Sequence, residues 1–374
     1  MSDTTNKNTN NTRASAACVS DAPVFWSAGP VRNQQTTTVL TVLARRDVMK
    51  IAGWNVRTLR DEGTQSLTVR TLYNYGVCVA CLSEIRLPDR RHRIIKVPES
   101  DCVYHLYNSG VEDNSGLYGV AIALSPLARA ALLAWEPVSH RLAMVRLKGA
   151  VINVTVISVY APTLNAVEED KDIFYRDLQA VVDRTPSTDL LVVAGDWNAR
   201  TGPADEGTRH VLGRFALGTQ CDNGDLVNFA VANRLVVTNT CFQHPRRHLV
   251  IWRSNDGRTS NQIDYILVRA RWASSVLNSR AYRGADTDSA YGSDHTLVRA
   301  SLRLRLRARR STKILKRINV ANLKLRAGEQ FGLELPNRFS LLQPSSGPQP
   351  EIEWQALKSA TVEAAHAHLG VTRH

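Results

Sequence analysis

The chain has 374 residues, 43% hydrophobic and 22% charged, which is enough apolar material for one large domain or two smaller ones. It has no apolar run of the roughly 18 residues that a membrane helix needs, and its N-terminus lacks the basic and then apolar layout of a signal peptide. We therefore expect a soluble, intracellular protein that is not embedded in a membrane, with the nucleus as a candidate compartment.

The net charge of +13 is unevenly distributed along the chain. Residues 303–374 hold 13 Lys and Arg against 5 Asp and Glu, and residues 1–46 hold 5 against 2, so residues 47–302 carry only +2. A basic excess predicts a polyanionic partner such as nucleic acid. The C-terminal region could therefore bind nucleic acid, and the charge alone does not show that the main domain does.

Residues 1–46 are rich in Thr, Asn, Ser and Ala without hydrophobic periodicity, so we predict that they are disordered. From residue 47 to about residue 306, short apolar strands alternate with a few helices, which is typical of an α/β domain. The first strand is predicted within 49–59, and two consecutive strands rich in β-branched residues are predicted within 141–149 and 151–163.

Two helices are predicted next, over 168–183 and 225–234, with a strand at 189–195 between them. In each helix, apolar side chains recur on one face, and we expect that face to be buried. These side chains are Phe174, Leu178 and Val181 in the first helix and Leu226, Phe229 and Ala230 in the second.

The last part of the domain again has strand patterns. Residues 248–268 hold two β-like flanks around an Asn-Asp-Gly turn, which predicts a hairpin. Leu302, Leu304 and Leu306 alternate with arginines, which predicts a strand with one face in water. Beyond it the pattern becomes helical over 318–343 and 351–370, with a linker rich in Pro and Ser between them. We expect three parts: a disordered segment (1–46), an α/β domain (47–306) and a basic helical extension (307–374).

Cys78 and Cys81 form a CxxC pair, which is compatible with a zinc half-site or a redox pair. The pair lies in an apolar, β-like run, and the sequence offers no second CxxC to complete a zinc site. We therefore expect buried core thiols.

Polar residues stand at the ends of several predicted strands, where a buried carboxylate has to find a metal ion or another cation. They are Asn55, Glu84, Tyr160, Asp196 with Asn198, Asp264, and Asp294 with His295. Each has a structural alternative: Asp-x-Asn serves as a turn or helix cap, Asp-His as a surface pair, and a tyrosine as a residue at the edge of the core. Because strand ends gather at one edge of an α/β sandwich, the joint occurrence favours a single catalytic pocket.

The motifs "WN", "LSEIRL", "GDWNA", "QIDYI" and "SDH" make residues 48–306 resemble the endonuclease/exonuclease/phosphatase superfamily. Within it, "WNVRTL", "VYAPT", "NTCFQH", "NQIDYILV" and "ELPNRFSLLQ" resemble the endonucleases of non-LTR retrotransposons and their craniofacial-development-protein-like relatives. The resemblance implies an α/β fold of two packed mixed β-sheets flanked by helices, a four-layer sandwich. It also implies a longer natural product in which a reverse transcriptase follows the extension.

Phosphodiester hydrolysis needs an activated water molecule and neutralisation of charge on the phosphate and the leaving oxygen. Hard carboxylate oxygens suit Mg²⁺, with Mn²⁺ as an alternative. Glu84 is the best candidate ligand, with Asn55 beside it. Asp294 would bind a metal ion or support the cluster.

The resemblance assigns the remaining side chains to water and phosphate. Asp196 would position or deprotonate the attacking water, and Asn198 would hydrogen-bond the phosphate. His295 would contact the scissile phosphate as base or as donor, with Asp264 orienting its other ring nitrogen. Tyr160 would donate to a phosphate oxygen.

The sequence departs from the family pattern at Arg57, where many members carry an acidic residue, and at Ile251, where many retroelement relatives carry Thr. The first departure could weaken a metal ligand, and the second could remove a phosphate contact. Arg253 and Arg258 in the predicted hairpin favour a duplex substrate, although charged turns are also common in edge loops.

The resulting hypothesis is a Mg²⁺-dependent DNA endonuclease that nicks one strand and, by resemblance, leaves a 3′-hydroxyl. The alternatives are a phosphatase or exonuclease of the same fold, acting on a small phosphoester or RNA, and a catalytically weakened nucleic-acid-binding remnant of a transposon. No protein partner is inferred.

Overall fold

The computed structural model describes residues 47–110, 118–221, 225–285, 293–305, 317–342 and 350–372. The predicted disorder of residues 1–46, and the predicted linker except for its last residue, lie outside the described residues. The chain divides into two compact units, Met1–Arg305 and Leu306–His374. Among the helices of the described residues, none has the length and apolar character that crossing a lipid bilayer requires.

The first unit contains fifteen described strands and four α-helices. In chain order they are β1 (Met49–Asn55), α1 (Glu62–Asn74), β2 (Val79–Ser83), β3 (His92–Lys96), β4 (Val103–Ser109), β5 (Val120–Leu124), α2 (Pro126–Ala130), β6 (Leu132–Ser139), β7 (Leu142–Leu147), β8 (Val154–Tyr160), α3 (Glu168–Arg184), β9 (Leu190–Asp196), α4 (Asp225–Ala232), β10 (Leu235–Val237), β11 (Trp252–Arg253), β12 (Ser260–Asn261), β13 (Asp264–Arg269), β14 (Val276–Tyr282) and β15 (Leu297–Leu302).

These strands form two large mixed sheets and one short ribbon. The first sheet has the order β14-β15-β1-β2-β5-β4-β3, and the second has the order β10-β13-β9-β8-β7-β6. Each contains one parallel pair, β1 with β2 and β8 with β9, among antiparallel neighbours. Strands β11 and β12 pair separately. Because parallel neighbours end at the same sheet edge, each sheet brings two strand C-termini side by side.

Both faces of each sheet are covered, which explains why the central strands are continuously apolar rather than alternating. Ile51 and Val192 belong to the core between the two sheets. On the outer faces, Trp54 packs in the layer that contains α1 residues, and Val193 packs in the layer that contains α3 and α4. The result is the expected four-layer sandwich of two mixed sheets flanked by helices.

The predicted helices are present at α3 and α4, and all six side chains expected on their buried faces are buried. The predicted hairpin is the β11–β12 ribbon, whose turn includes Gly257 at a φ of +70°. Cys81 is fully buried and Cys78 packs partly against the same core, both as free thiols.

The strand predicted to run through Leu306 is shorter than expected. Strand β15 ends at Leu302, although Leu304 is still buried between the more exposed Arg303 and Arg305. The backbone N–H groups of Arg303 and Arg305 bond to the carbonyl and side-chain oxygens of Ser275 instead of to a strand. Leu306 lies outside the described residues.

In the second unit, residues 317–342 and 350–372 are described. Its elements are β16 (Arg317–Ile318), α5 (Arg326–Ser340), α6 (Pro350–His368) and β17 (Val371–Thr372), and β16 pairs with β17. The helical character of this region is as predicted, except that a 3₁₀ turn over Val320–Lys324 and a short strand replace the first part of the expected helix. Pro336 lies inside α5.

Two glycines lie close to each other where the two sheets approach below the strand ends. A Cβ on Gly53 of β1 would lie 3.1 Å from the backbone nitrogen of Gly195 of β9, and a Cβ on Gly195 would lie 2.0 Å from the carbonyl oxygen of Val159. Gly195 also has a φ of +147°, which L side chains rarely adopt. No other residue type fits here without moving β9.

We predict that Gly195→Ala lowers the free energy of unfolding by about 3 kcal/mol or more, because overpacking and backbone strain act together. Urea unfolding followed by circular dichroism measures this change. Gly207→Ala is the matched control, since a Cβ there meets only Asp205 Oδ1 at 3.6 Å. Equal midpoints for the two variants would contradict the steric account.

Candidate active site

Strand ends from both sheets meet at one edge of the sandwich. Tyr160 at the end of β8 lies beside Asp196 at the end of β9, and Asp264 at the start of β13 pairs directly with Asp196. Asn55 ends β1 in the other sheet, next to Ser83 at the end of β2. The sandwich thus positions backbone segments distant in sequence around one point.

The side-chain amide of Asn55 joins the two sheets at this point. Its Nδ2 donates to Glu84 Oε1 at 2.8 Å and to Asp196 Oδ2 at 2.9 Å, while its Oδ1 accepts from the backbone N–H of Arg57 at 3.0 Å. Asn55 therefore holds two carboxylates on a single amide nitrogen. Its predicted role as a metal ligand stays a prediction.

Glu84 follows β2 in a left-handed conformation, with a φ of +53°, and this turn aims its carboxylate at the pocket. Its Oε1 also accepts from the Tyr160 hydroxyl at 3.1 Å, and its Oε2 accepts from Arg86 Nη2 at 3.1 Å. The Glu84 side chain is 22% exposed, so it is accessible from the pocket. Sequence reasoning did not single out Arg86.

A buried acid–histidine–acid cluster lies beside Asn55. Nδ1 of His295 lies 3.0 Å from Asp264 Oδ1, and Nε2 of His295 lies 3.9 Å from Asp196 Oδ2. All three side chains are nearly inaccessible to solvent. Their ligand atoms lie within 4.8 Å of one another, so the cluster could hold a cation, but the ring already directs one nitrogen to Asp264.

The cluster separates the pKa values of its members. Burial raises the pKa of Asp196, and the neighbouring Asp264 carboxylate raises it further. His295 and Asn55 lower it, and the resulting pKa is about 7. Burial alone would lower the pKa of His295. The carboxylates of Asp264 and Asp196 outweigh burial and raise the pKa of His295 to about 10. The two carboxylates therefore favour the imidazolium form of the ring.

The segment that carries His295 is tied to β1 by contacts that the sequence did not reveal. Ser293 Oγ donates to the carbonyl oxygen of Asn55 at 2.6 Å and accepts from the backbone N–H of His295 at 3.1 Å. The indole Nε1 of Trp54 donates to the carbonyl oxygen of His295 at 3.2 Å. Trp54 of "WN" and Ser293 of "SDH" thus fix the positions of Asn55 and His295 relative to each other.

Asn198 and Asp294 border the same pocket. The backbone N–H of Asn198 donates to Asp196 Oδ1 at 3.0 Å, and its side-chain amide donates to the carbonyl oxygen of Ala161 at 2.9 Å. Asp294 Oδ2 accepts from the indole of Trp252 at 2.9 Å. Their predicted contacts with phosphate and metal stay predictions.

The site opens into a cavity of about 550 Å³. Six predicted site residues line it: Glu84, Tyr160, Asp196, Asn198, Asp294 and His295. Arg57 and Arg200 add positive charge to the lining. Arg253 lines a neighbouring cavity, whereas Arg258 is exposed in the β11–β12 turn and lines neither of the two. Ile251 is buried in the core between the sheets.

Comparison with known proteins finds relatives among curated sequences and solved structures. Craniofacial development protein 2 of Bos taurus is 36% identical over 258 residues, which cover 69% of this chain and 41% of that protein. The counterpart of Tragulus javanicus is 35% identical over 258 residues. The chain thus matches less than half the length of these curated relatives.

Among solved structures, the AP endonuclease LMAP from Leishmania major matches with a TM-score of 0.51 and 15% identity, over 74% of this chain and 97% of that one. The endonuclease domain of TRAS1, a telomere-specific non-LTR retrotransposon, matches with a TM-score of 0.46 and 15% identity, over 69% of this chain and 99% of that one. Residues 52–295 match the family model described as "Endonuclease/Exonuclease/phosphatase family". The chain belongs to the endonuclease/exonuclease/phosphatase family.

Proposed function

We propose that this chain is a Mg²⁺-dependent phosphodiesterase that nicks one strand of DNA. The observation that carries the proposal is the convergence of Glu84, Asp196 and the Asp264–His295 pair around Asn55 at the mouth of one cavity. Such a set combines carboxylate oxygens for a metal ion, a proton acceptor and a cationic donor for phosphate.

Asp196 is suited to accept the proton of the attacking water. A general base works best when its pKa lies near the working pH, and burial raises the pKa of Asp196 to about 7. The backbone N–H of Asn198 and the amide of Asn55 fix its two oxygens. A fixed carboxylate loses little orientational freedom when it meets the water.

His295 is suited to donate to the phosphate rather than to act as a base. Asp264 accepts from Nδ1 and helps to keep the ring protonated, so Nε2–H is available at neutral pH. A positive charge at this place stabilises the charge that develops on a phosphoryl oxygen. Asp196 and His295 thus divide the roles of acceptor and donor.

Enzymes of this family generally use a divalent metal ion. Glu84 is the side chain best placed to bind it. Its carboxylate lines the cavity, and carboxylate oxygens suit Mg²⁺. The Asn55 amide donates to both Glu84 and Asp196 and so holds the two carboxylates beside each other. The bound ion supplies Lewis-acid stabilisation of charge on the phosphate. Tyr160 and Arg86 orient Glu84 through its two oxygens.

The direct test is incubation of the purified chain with supercoiled plasmid, in Mg²⁺ and in EDTA. Relaxed circles that form only with metal are the expected product. Release of phosphate from small esters, or degradation of RNA, with intact plasmid would favour the alternative enzyme of the same fold. Plasmid binding without cleavage under any divalent metal would favour the non-catalytic remnant.

We expect Asp196→Asn and His295→Ala each to lower the nicking rate by about 10²–10⁴-fold, the usual contribution of a positioned acid or base. Asp170→Asn, at an exposed position in the first turn of α3, is the matched control and should nick at the wild-type rate. Thermal unfolding verifies that each variant is folded. Near wild-type nicking by folded Asp196→Asn would remove Asp196 from the chemistry.

The nicking rate should rise with pH through about 7, as Asp196 loses its proton, and should fall at high pH when His295 loses its own near 10. Asp264→Asn removes the carboxylate that favours the imidazolium, so the falling limb should move to lower pH. Single-turnover rates across the pH range measure both limbs. A falling limb that stays in place in Asp264→Asn would show that this limb does not report His295.

Glu84→Gln keeps the shape of the side chain but removes one negative charge from the metal site. The Mg²⁺ concentration that gives half-maximal nicking should therefore rise about tenfold or more. Glu136→Gln, which removes a carboxylate that pairs with Arg184 at the surface, is the control. Identical Mg²⁺ titrations for wild type and Glu84→Gln would exclude Glu84 as a ligand.

A further inference from the structure

A second, strongly basic cavity of about 450 Å³ adjoins the catalytic one. Its lining includes the guanidinium-bearing residues Arg57, Arg253 and Arg283 together with Asp294. Arg57 and Asp294 also line the catalytic cavity, so the two spaces share a wall. We call this second space the arginine pocket.

The backbone holds the arginine pocket in register with the catalytic residues. Arg57 lies two residues after Asn55, has a φ of +61° and donates its backbone N–H to Asn55 Oδ1. The backbone N–H of Arg253 in β11 donates to the carbonyl oxygen of Asp294 at 3.2 Å, directly before His295. A ligand in this pocket would therefore have a fixed position relative to Asp196 and His295.

Positive charge is concentrated in the pocket. Burial and the nearby Arg253 and Arg247 lower the pKa of Arg283, which shows that like charges crowd its guanidinium. Asp294 is the carboxylate in the described lining, and one of its oxygens is engaged by Trp252. Like-charge crowding of this kind favours binding of an anion, and planar guanidinium groups match phosphate oxygens in geometry.

We propose that the arginine pocket binds a second, non-scissile phosphate of the nucleic-acid backbone, flanking the phosphate that is cleaved. This inference rests on the proposed function, and it specifies the substrate as a polynucleotide. A mononucleotide or small phosphoester has no second diester to reach the pocket. The charge of the arginine pocket thus favours a polynucleotide over a mononucleotide, without contact to a base.

The test is the salt dependence of DNA binding in EDTA, where binding is measured apart from cleavage. Fluorescence anisotropy of a short labelled duplex gives log affinity against log salt for the full chain and for Arg283→Gln. Each lost phosphate contact reduces that slope by about 0.9. We expect this reduction, together with about tenfold weaker binding, as one charge-assisted contact is lost.

Two further variants separate a phosphate contact from a loss of net charge. Arg176→Gln removes the same charge from the exposed surface of α3 and should leave the slope unchanged. Arg283→Lys keeps a point charge in the pocket and should restore most of the slope. Arg57→Gln should reduce the slope by the same amount as Arg283→Gln. It provides the same test if Arg283→Gln fails to fold.

A wild-type slope in folded Arg283→Gln and Arg57→Gln would overturn the arginine pocket as a phosphate site. So would an equal loss in Arg176→Gln, since the effect would then follow net charge alone. These binding outcomes do not depend on cleavage. If the slope depends on these arginines but the protein never cleaves plasmid, the proposed function is overturned and the arginine pocket is still supported as a phosphate site.

Discussion

The contact between Gly53 and Gly195 is the constraint on which the site depends. Two sheets normally pack with side chains between them, about 10 Å apart. Here the absence of a Cβ on Gly53 lets β1 approach β9 just below their ends. With the sheets this close, the Asn55 amide reaches Asp196 across the interface as well as Glu84, which follows the neighbouring strand of its own sheet, at hydrogen-bond distance.

The strand ends of the second sheet create an electrostatic problem, which the chain resolves by pairing. Asp196 and Asp264 are register partners on adjacent strands and are both buried, so their charges would repel each other strongly. His295 lies between them as a cation, and hydrogen bonds from Asn55 and Asn198 satisfy the oxygens of Asp196. Burial destabilises the charged groups of this cluster. It also shifts their pKa values into a range that is useful for acid–base chemistry near neutral pH.

Much of this arrangement could be predicted from the sequence, because it follows from local patterns. Apolar runs that stop at a polar residue located the strand ends at Asn55 and Asp196, and helical periodicity located α3 and α4. The sequence could not reveal that Ser293 bonds to Asn55, or that Arg86 pairs with Glu84, because these contacts depend on how turns with left-handed residues direct the chain. The end of β15 was missed for a related reason: the Leu alternation persists through Leu304 after the ladder ends, where Ser275 takes over the hydrogen bonds.

Arg57 shows why a position has to be interpreted in three dimensions. As a departure from a family pattern, an arginine in place of an acidic residue indicates only a lost metal ligand. In the fold, the Arg57 side chain lies on the wall between the catalytic cavity and the arginine pocket. Arg57 therefore contributes a cation to the lining of both cavities. The guanidinium groups near Asp196 and His295 are complementary in charge to the polyanionic backbone that we propose as the substrate.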